Sequence, residues 1–436
     1  MHRLPLSLAV AVVLGFAVVA SHWVSPPATT AETLAAAGPL KWYRGNMHTH
    51  SYWSDGDDHL ENIALWYRER GYDFLCFTDH NILARSEKWI DVKTAKNGPQ
   101  AYAKHQARWG DAVVERMRDG KHEVKLKTFD EVTALAGLPG KYLLIQSEEI
   151  SDKFGKLPIH LNAHNVRDTL PPMGGDSAAE VLQNNINAVI AQRERTKQPM
   201  FVHVNHPNFK WGLTAEDMAG IRGEQFFEVY NGHPGVDNAG DEQHASTERI
   251  WDIINTQRIA ELDLPLLYGL ATDDGHNYHE ILSRASEPGR GWVMVLASSL
   301  TTETLIEALE AGRFYSTSGV SLDRIESTKD GLKLAVHAEP GVTYKVEFLG
   351  TRKGFDAKSE PVRDADGKEL PVTRKYSADV GRVLKSVDGT AADYQFTGDE
   401  LYVRARVTSS RQHPNPSQPG DYEQAWVQPL RGPAAK

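Results

Sequence analysis

The sequence predicts an α/β fold on a mostly parallel sheet, followed by a smaller all-β part. Three observations carry this. Short apolar runs alternate with amphipathic helical stretches from about Trp42 to Gly319. Nearly every such run ends, on its C-terminal side, in His, Asp or Glu. In α/β barrels the active site lies at that end of the strands. After "ALEAGRFYSTSGV" the texture changes to apolar–polar alternation with Gly/Asp turns, as in "LKLAVHAEP", "TYKVEFLGT", "YQFTGDELYVRARVTSS" and "EQAWVQPL". The divisions expected are residues 1–31, 40–319 and 320–436.

The first division reads as an export signal and leader. "LSLAVAVVLGFAVVA" is an apolar run of signal length behind His2 and Arg3. Cleavage fits after Ala20 or Ala31, and the small residues of "PPATTAE" suit the later site. The run is short and rich in Gly and Ala for a membrane span. An uncleaved anchor is the alternative. The expected location is therefore periplasmic or extracellular, with no stable membrane span after cleavage. Cys76 is the one cysteine, so no intrachain disulfide can form and no lipid-anchor cysteine follows the run. Export permits disulfides without requiring them.

From Trp42 the elements follow in order. "YRGNMHTH" reads as a strand ending in polar groups. "LENIALWYRERGY" has helical spacing, with Gly71 as C-cap. "DFLCFTDHN" is the next strand. Residues Leu83 to Thr128, rich in Lys, Arg, Trp and His, break the alternation. They read as a helical insertion, either a lid or a solvated decoration. "KYLLIQSEEIS", "IHLNAHNV", "PMFVHVNHPN", "QFFEVYNGHP" and "PLLYGLATDDGHN" are further strands. "SAAEVLQNNINAVIAQRER" and "STERIWDIINTQRI" are helices between them.

His48 and His50, two apart, point to one side of a strand end and can share a metal. One His-x-His is weak evidence. Here it is joined at successive strand ends by Asp55, Asp79, His80, Glu148, Glu149, His160, His206, Asp274 and His276. Imidazole with carboxylate suits Zn, Mn or Fe, and the carboxylates can bridge two ions. Asp57, Asp58 and His59 read instead as the start of the next helix, where acids favour the dipole. The formal net charge of -10 disfavours nucleic acid as a general partner. A bound metal can still reverse the local sign for a small anionic substrate.

The ordered set "HTHSYWSDG", "TDHN", "EEIS", "PIHLNAHN", "NHPN" and "DDGH" resembles the polymerase and histidinol phosphatase (PHP) superfamily over about Trp42 to Gly319. "EVYNG" and "GRFYSTSG" resemble its carbaryl-hydrolase-like branch. The resemblance implies a distorted (β/α)7 barrel holding two or three divalent ions. On it, His48, His50 and Asp274 would bind a first ion with a bridging glutamate, Glu149 or its neighbour Glu148. His160 and His206 would bind a second ion with that glutamate, His164 being the rival to His160. Asp55, His80 and His276 would bind a third.

Two cations a few ångströms apart can activate water for hydrolysis with no serine or cysteine nucleophile. Asp79 would orient an imidazole or act as a base, or else cap a helix. Lys210, Arg290, His233 and His279 flank the motifs as substrate contacts or as plain surface groups. Asn81, Asn205 and Asn231 read as loop anchors, and Tyr52, Trp53 and Tyr230 as pocket or core. The leading expectation is a metal-dependent hydrolase acting on a small-molecule phosphoester. The same centre could cleave a carbamate, amide or carboxylic ester. A binding protein that has lost activity is the reading from another class. An amidohydrolase barrel also begins with His-x-His but adds a bridging Lys at a strand end, where this sequence has none. No feature selects an oligomeric state.

Overall fold

The computed structural model describes residues 39–435, so the signal peptide expected in residues 1–31 lies outside the described residues. Among the described residues no helix is long and apolar enough to cross a membrane. In chain order the first part runs β1 (Lys41–Asn46), α1 (Leu60–Glu69), β2 (Phe74–Phe77), β3 (Trp89–Asp91), α2 (Gly98–Trp109), β4 (Glu115–Arg118), β5 (Lys121–Lys125) and α3 (Phe129–Ala136). It continues β6 (Leu143–Phe154), β7 (Leu157–His164), α4 (Ala178–Thr196), β8 (Phe201–Val204), α5 (Ala215–Ala219), β9 (Phe226–Asn231) and α6 (Thr247–Gln257). β10 (Tyr268–Thr272), β11 (Trp292–Ala297), α7 (Thr302–Glu310) and β12 (Phe314–Thr317) complete it.

These strands, the insertion's β3 to β5 apart, form one curved sheet in the order β10-β9-β8-β7-β6-β2-β1-β11-β12. Its centre is apolar. Cys76, Ile145, Phe201, Phe226, Leu270 and Val293 pack in one buried cluster. The helices cover the outer face: Val181, Ile186 and Val189 of α4 and Ile250, Trp251 and Ile254 of α6 join a second buried cluster with Val202, Phe227 and Val229. Helix α1 ends as its sequence dictates, with Gly71 at φ 75° and its N–H on the Arg68 carbonyl.

The sheet is less parallel than the alternation implies. β1–β2, β2–β6, β8–β9 and β9–β10 are parallel. β6–β7, β7–β8, β1–β11 and β11–β12 are antiparallel. The cause at β6–β7 is local: only Gly155 and Lys156 separate the paired residues Phe154 and Leu157, and a two-residue turn allows only a hairpin. Gly155 takes φ 60°, a conformation that suits glycine.

Nor does the sheet close by backbone pairing, as a full barrel would. β10 is its edge. That edge is met by side chains instead: Gln428 Nε2 and Ser316 Oγ donate to the Gly269 carbonyl at 2.9 and 2.7 Å, and the Gly269 N–H donates to Gln428 Oε1 at 2.9 Å. The insertion is also not simply helical. Its one long helix, α2, accompanies a three-stranded sheet in the order β3-β5-β4.

The remaining chain is β-rich, as its alternation predicts. It comprises β13 (Leu322–Thr328), β14 (Gly331–Val336), β15 (Tyr344–Arg352), β16 (Ser359–Glu360), β17 (Lys375–Tyr376), β18 (Arg382–Asp388), β19 (Ala391–Gln395), β20 (Glu400–Gln412) and β21 (Tyr422–Arg431). β13-β14-β19 form a small sheet, and β21-β20-β15-β18 extend the large one directly from β12. Leu332, Leu334 and Tyr394 of the first pack with Val346, Phe348 and Val407 of the second in one core, a sandwich-like arrangement. The sheet thus runs on across residue 319 without a break.

Candidate metal centre

Alternate residues of a strand share a face and climb by about 6.6 Å per pair. On the inner face this builds three layers. The floor is Ile145, Phe201, Phe226 and Leu270. Two residues along each strand stand Ser147, His203, Glu228 and Thr272. They join His164 in a sealed polar layer. His164 Nδ1 lies 3.1 Å from Ser147 Oγ, and its Nε2 lies 3.0 Å from His203 Nδ1. His203 Nε2 is 3.2 Å from Glu228 Oε1, to which Thr272 Oγ1 donates at 2.8 Å.

The upper layer holds the ligands expected from the motifs. Glu149 is at its middle and completely buried. His80 Nδ1, His50 Nε2 and His48 Nε2 lie 2.8, 3.3 and 3.5 Å from its Oε2. His160 Nδ1 and His206 Nε2 lie 2.9 and 3.4 Å from its Oε1, which also accepts from Asn205 Nδ2 at 2.8 Å. Asp274 Oδ1 is 3.3 Å from His48 Nε2 and 3.2 Å from His50 Nε2. A further group stands toward solvent. Asp55 Oδ1 is 3.3 Å from His276 Nε2, 3.6 Å from His80 Nε2 and 3.8 Å from His50 Nδ1. All nine expected ligands therefore converge, in sets that could each hold an ion, such as His48–His50–Asp274, His48–Glu149–His206 and His50–Asp55–His80–His276.

Two features fit divalent ions here. Glu149 Oε2, deep in the protein, accepts no well-aligned hydrogen bond although three imidazole nitrogens surround it, His80 Nδ1 at 2.8 Å nearest. A buried carboxylate oxygen left that way is costly unless a cation meets it. His48 Nε2 and His50 Nε2 are 3.1 Å apart, about the separation of two nitrogens on one ion at 2.0–2.1 Å. Without an ion, the imidazoles and carboxylates compensate one another. Burial alone would raise the Glu149 carboxyl, but His80, His160 and His48 hold it well below the usual range. Asp274 is likewise held low against its burial, chiefly by His48. Burial opposes charge on His80, yet Glu149 and Asp55 raise it to about 11. Burial, then His276 and His80, push His50 down to about 3.

Neighbours fix the rings. Glu228 Oε1 faces His48 Nδ1, which leaves Nε2 toward the centre. His276 Nδ1 donates to the Asp274 carbonyl at 2.9 Å. Asn231 Nδ2 donates to Glu228 Oε2 and Asp274 Oδ2 at 2.8 and 3.1 Å. Asp274 itself sits at φ 50°, a backbone conformation that a non-glycine residue rarely adopts and that clusters at functional sites.

Asp79 is not in the ring. Its carboxylate accepts from Ser51 N, Ser51 Oγ and Ser54 Oγ at 2.8, 2.8 and 2.7 Å, and Ser54 Oγ lies 3.4 Å from His50 Nδ1. One serine thus stands between it and the His50 imidazole. Glu148 turns away, accepting from Leu170 N at 2.6 Å, and burial raises its carboxyl to about 8. His164 lies four residues along β7 from His160, level with Ser147 in the polar layer below. Arg290 is buried with its guanidinium on the Gly232 and Asn415 carbonyls. His279 binds the Asp57 carbonyl at 2.8 Å, and Lys210 is exposed over Phe209. His233 remains: Gly235 N donates to its Nδ1 at 2.9 Å, so the neutral ring carries its proton on Nε2, and its centroid is 5.7 Å from that of His276. Glu228 and His203 were missed as functional groups. A Glu within the otherwise apolar "FFEVY" was the available signal, since a fully buried acid needs a partner.

No family model matches the chain, and no curated protein matches it. Among solved structures it is similar to a two-domain protein from Bacteroides vulgatus containing a predicted PHP-like metal-dependent phosphoesterase, at 16% identity and TM-score 0.38, over 89% of this chain and 95% of that one. It is also similar to an inferred metal-dependent phosphoesterase from Bifidobacterium adolescentis, at 13% identity and TM-score 0.28, over 61% of this chain and 96% of that one. An amidohydrolase from Chromobacterium violaceum, with bound sulfate and no metal, matches at 12% identity and TM-score 0.29, over 53% and 87%.

Proposed function

We infer that the chain is an exported, metal-dependent hydrolase of the PHP superfamily, in its carbaryl-hydrolase-like branch, that cleaves a small-molecule phosphoester. The observation that carries the reading is the buried Glu149 Oε2 amid three imidazole nitrogens. His48, His50, Asp274 and Glu149 would hold one ion; Glu149, His160 and His206 a second; Asp55, His80 and His276 a third. Zn, Mn or Fe suits the donors. Bound there, such ions supply water activation near neutral pH and polarisation of a phosphoryl or carbonyl oxygen.

The chain's own residues do the rest. Asn205 and Asn231 hold Glu149 and Asp274 in place. Glu228 sets the His48 ring, and Asp79 steadies the Ser51–Ser54 turn beside His50. His233, kept neutral by burial, offers its Nε2–H as a donor to a substrate oxygen at the ring.

One observation favours the second reading, a carbamate, ester or amide. The non-ligand groups beside the ring named above are amides, a neutral imidazole and the carboxylates of Glu228 and Asp79, and Arg290 is committed to the Gly232 and Asn415 carbonyls and to Glu287. Among the described residues named here, no guanidinium is free to meet a doubly charged phosphate monoester.

The test is hydrolysis of an aryl phosphate, an aryl ester and an aryl carbamate before and after chelation and dialysis. Chelation abolishes turnover, and Mn, Zn or Fe restores it. Turnover that survives chelation overturns the metal mechanism, and the preferred substrate decides between the two bonds.

A further inference from the structure

His164 and His203 stand in the sealed layer beneath the candidate ligands, both buried. Neither is one of the nine. With Ser147, Glu228 and His48 they form one unbroken chain. Ser147 Oγ lies 3.1 Å from His164 Nδ1, and His164 Nε2 lies 3.0 Å from His203 Nδ1. His203 Nε2 lies 3.2 Å from Glu228 Oε1, which lies 2.7 Å from His48 Nδ1. Ser147 is buried as well, so the far end of the chain stays inside the protein.

Glu228 fixes the sense of the chain. Two groups that can only donate meet its Oε2: Asn231 Nδ2 and the His206 backbone N–H, both at 2.8 Å. Thr272 Oγ1 donates to its Oε1 at 2.8 Å. Glu228 is therefore an acceptor throughout, and each imidazole nitrogen facing Oε1 carries a proton. His203 then has Nε2–H and a bare Nδ1, which accepts from His164 Nε2–H. His164 has a bare Nδ1 in turn, which accepts from the Ser147 hydroxyl. Burial acts in the same direction, holding both rings below the usual imidazole range and so neutral. Every proton in the chain points toward Glu228, and each link strengthens the next. His48, His203 and Glu228 are close enough to enclose an ion. In this arrangement His203 has no lone pair left for one.

We propose that His203 and His164 are positioning residues of the metal centre, a neutral imidazole pair that aims Glu228 at His48 Nδ1 and so turns His48 Nε2 toward the ligand ring. This rests on the metal-dependent reading above. It extends the support of the centre two residues deeper than any group that touches an ion or a substrate. The chain carries orientation, not protons to solvent, because it ends at buried Ser147.

Nitrogen NMR of the zinc-loaded full chain, isotope-labelled at histidine, reads the protons directly. The signals of His164 and His203 are those lost in His164→Gln and His203→Gln. Each ring should carry a proton on Nε2 and a bare Nδ1 near neutral pH. A proton on Nδ1 of either ring overturns the proposal. Competition with a chromophoric chelator supplies the second readout. His203→Gln places an amide N–H where the ring N–H stood, and its metal affinity should stay close to that of the parent. His203→Leu fills the space without a donor, and affinity should fall by about tenfold. Equal affinity in the Gln and Leu variants overturns the proposal and leaves the metal reading intact. A parent chain that binds no metal overturns both.

Discussion

Glu228 Oε1 lies 2.7 Å from His48 Nδ1, and both side chains are sealed from solvent. Burial would raise the Glu228 carboxyl, but His48 and His203 hold it well below its usual range. It therefore stays ionised and fixes which His48 nitrogen faces the ring of candidate ligands. Glu228→Gln removes that charge with little change of shape. Metal affinity should fall by about 10–100-fold, read by competition with a chromophoric chelator. Unchanged affinity would leave Glu228 a packing residue.

His50 belongs to two of the ligand sets, with Asp274 on one side and with Asp55, His80 and His276 on the other. His50→Ala should cost more than one equivalent of metal and nearly all hydrolysis, while far-ultraviolet circular dichroism stays that of the parent. Retention of full metal content by elemental analysis would move His50 out of the centre.

Asp252 of α6 is the fixed partner of Arg404 of β20. Arg404 Nε and Nη2 donate to its two oxygens at 2.8 and 2.7 Å, and Tyr402 OH adds a third bond at 2.8 Å. Asp252→Ala leaves a guanidinium that is 1% exposed without its bidentate partner. Denaturant unfolding should register a loss of about 3–5 kcal/mol. A loss below 1 kcal/mol would mean Glu248 alone suffices.

Glu224 gives a pH signature far from the ligands. Burial raises its carboxyl from 4.5 to about 8, against the backbone N–H bonds from Val202 and Gln225. Between those values the unfolded chain has lost a proton that the folded chain keeps. This contribution to stability is therefore intact below pH 4.5 and declines by about 1.4 kcal/mol per unit until about pH 8. Relative to Glu224→Gln, the parent should weaken steadily over that window in denaturant titrations. Parallel curves for the two proteins would show that Glu224 does not titrate there.

The ring of nine was legible because the motifs set a His or acid after an apolar run, and these residues meet, although Glu149 and His160 fall inside β6 and β7 and Asp55 in a turn. The layer beneath was not legible in the same way. Ser147, His203 and Glu228 sit within strands and His164 ends β7, and only the inward face of each strand brings them together. His164 looked like a competitor of His160 because the hairpin at Gly155 reverses β7. On a reversed strand the upper residue comes first in sequence and the lower one four residues later. The insertion misled for a different reason: "WID" and "KHEVK" are short and charged, and their β pairing depends on long-range partners rather than on local pattern. The edge strand β10 was invisible as such, since Gln428 lies over 150 residues from Gly269.

That last contact ties the C-terminal strands to the ring of nine. Asp274 follows β10 by two residues, and the free margin of β10 is gripped at Gly269 by Gln428 from the far end of the chain. A protein cut after residue 319 would lose this clasp together with the strand that covers β12. Grafting a different C-terminal part onto these motifs would keep every candidate ligand yet shift where Asp274 stands, so the geometry of the ring is inherited from both halves of the chain.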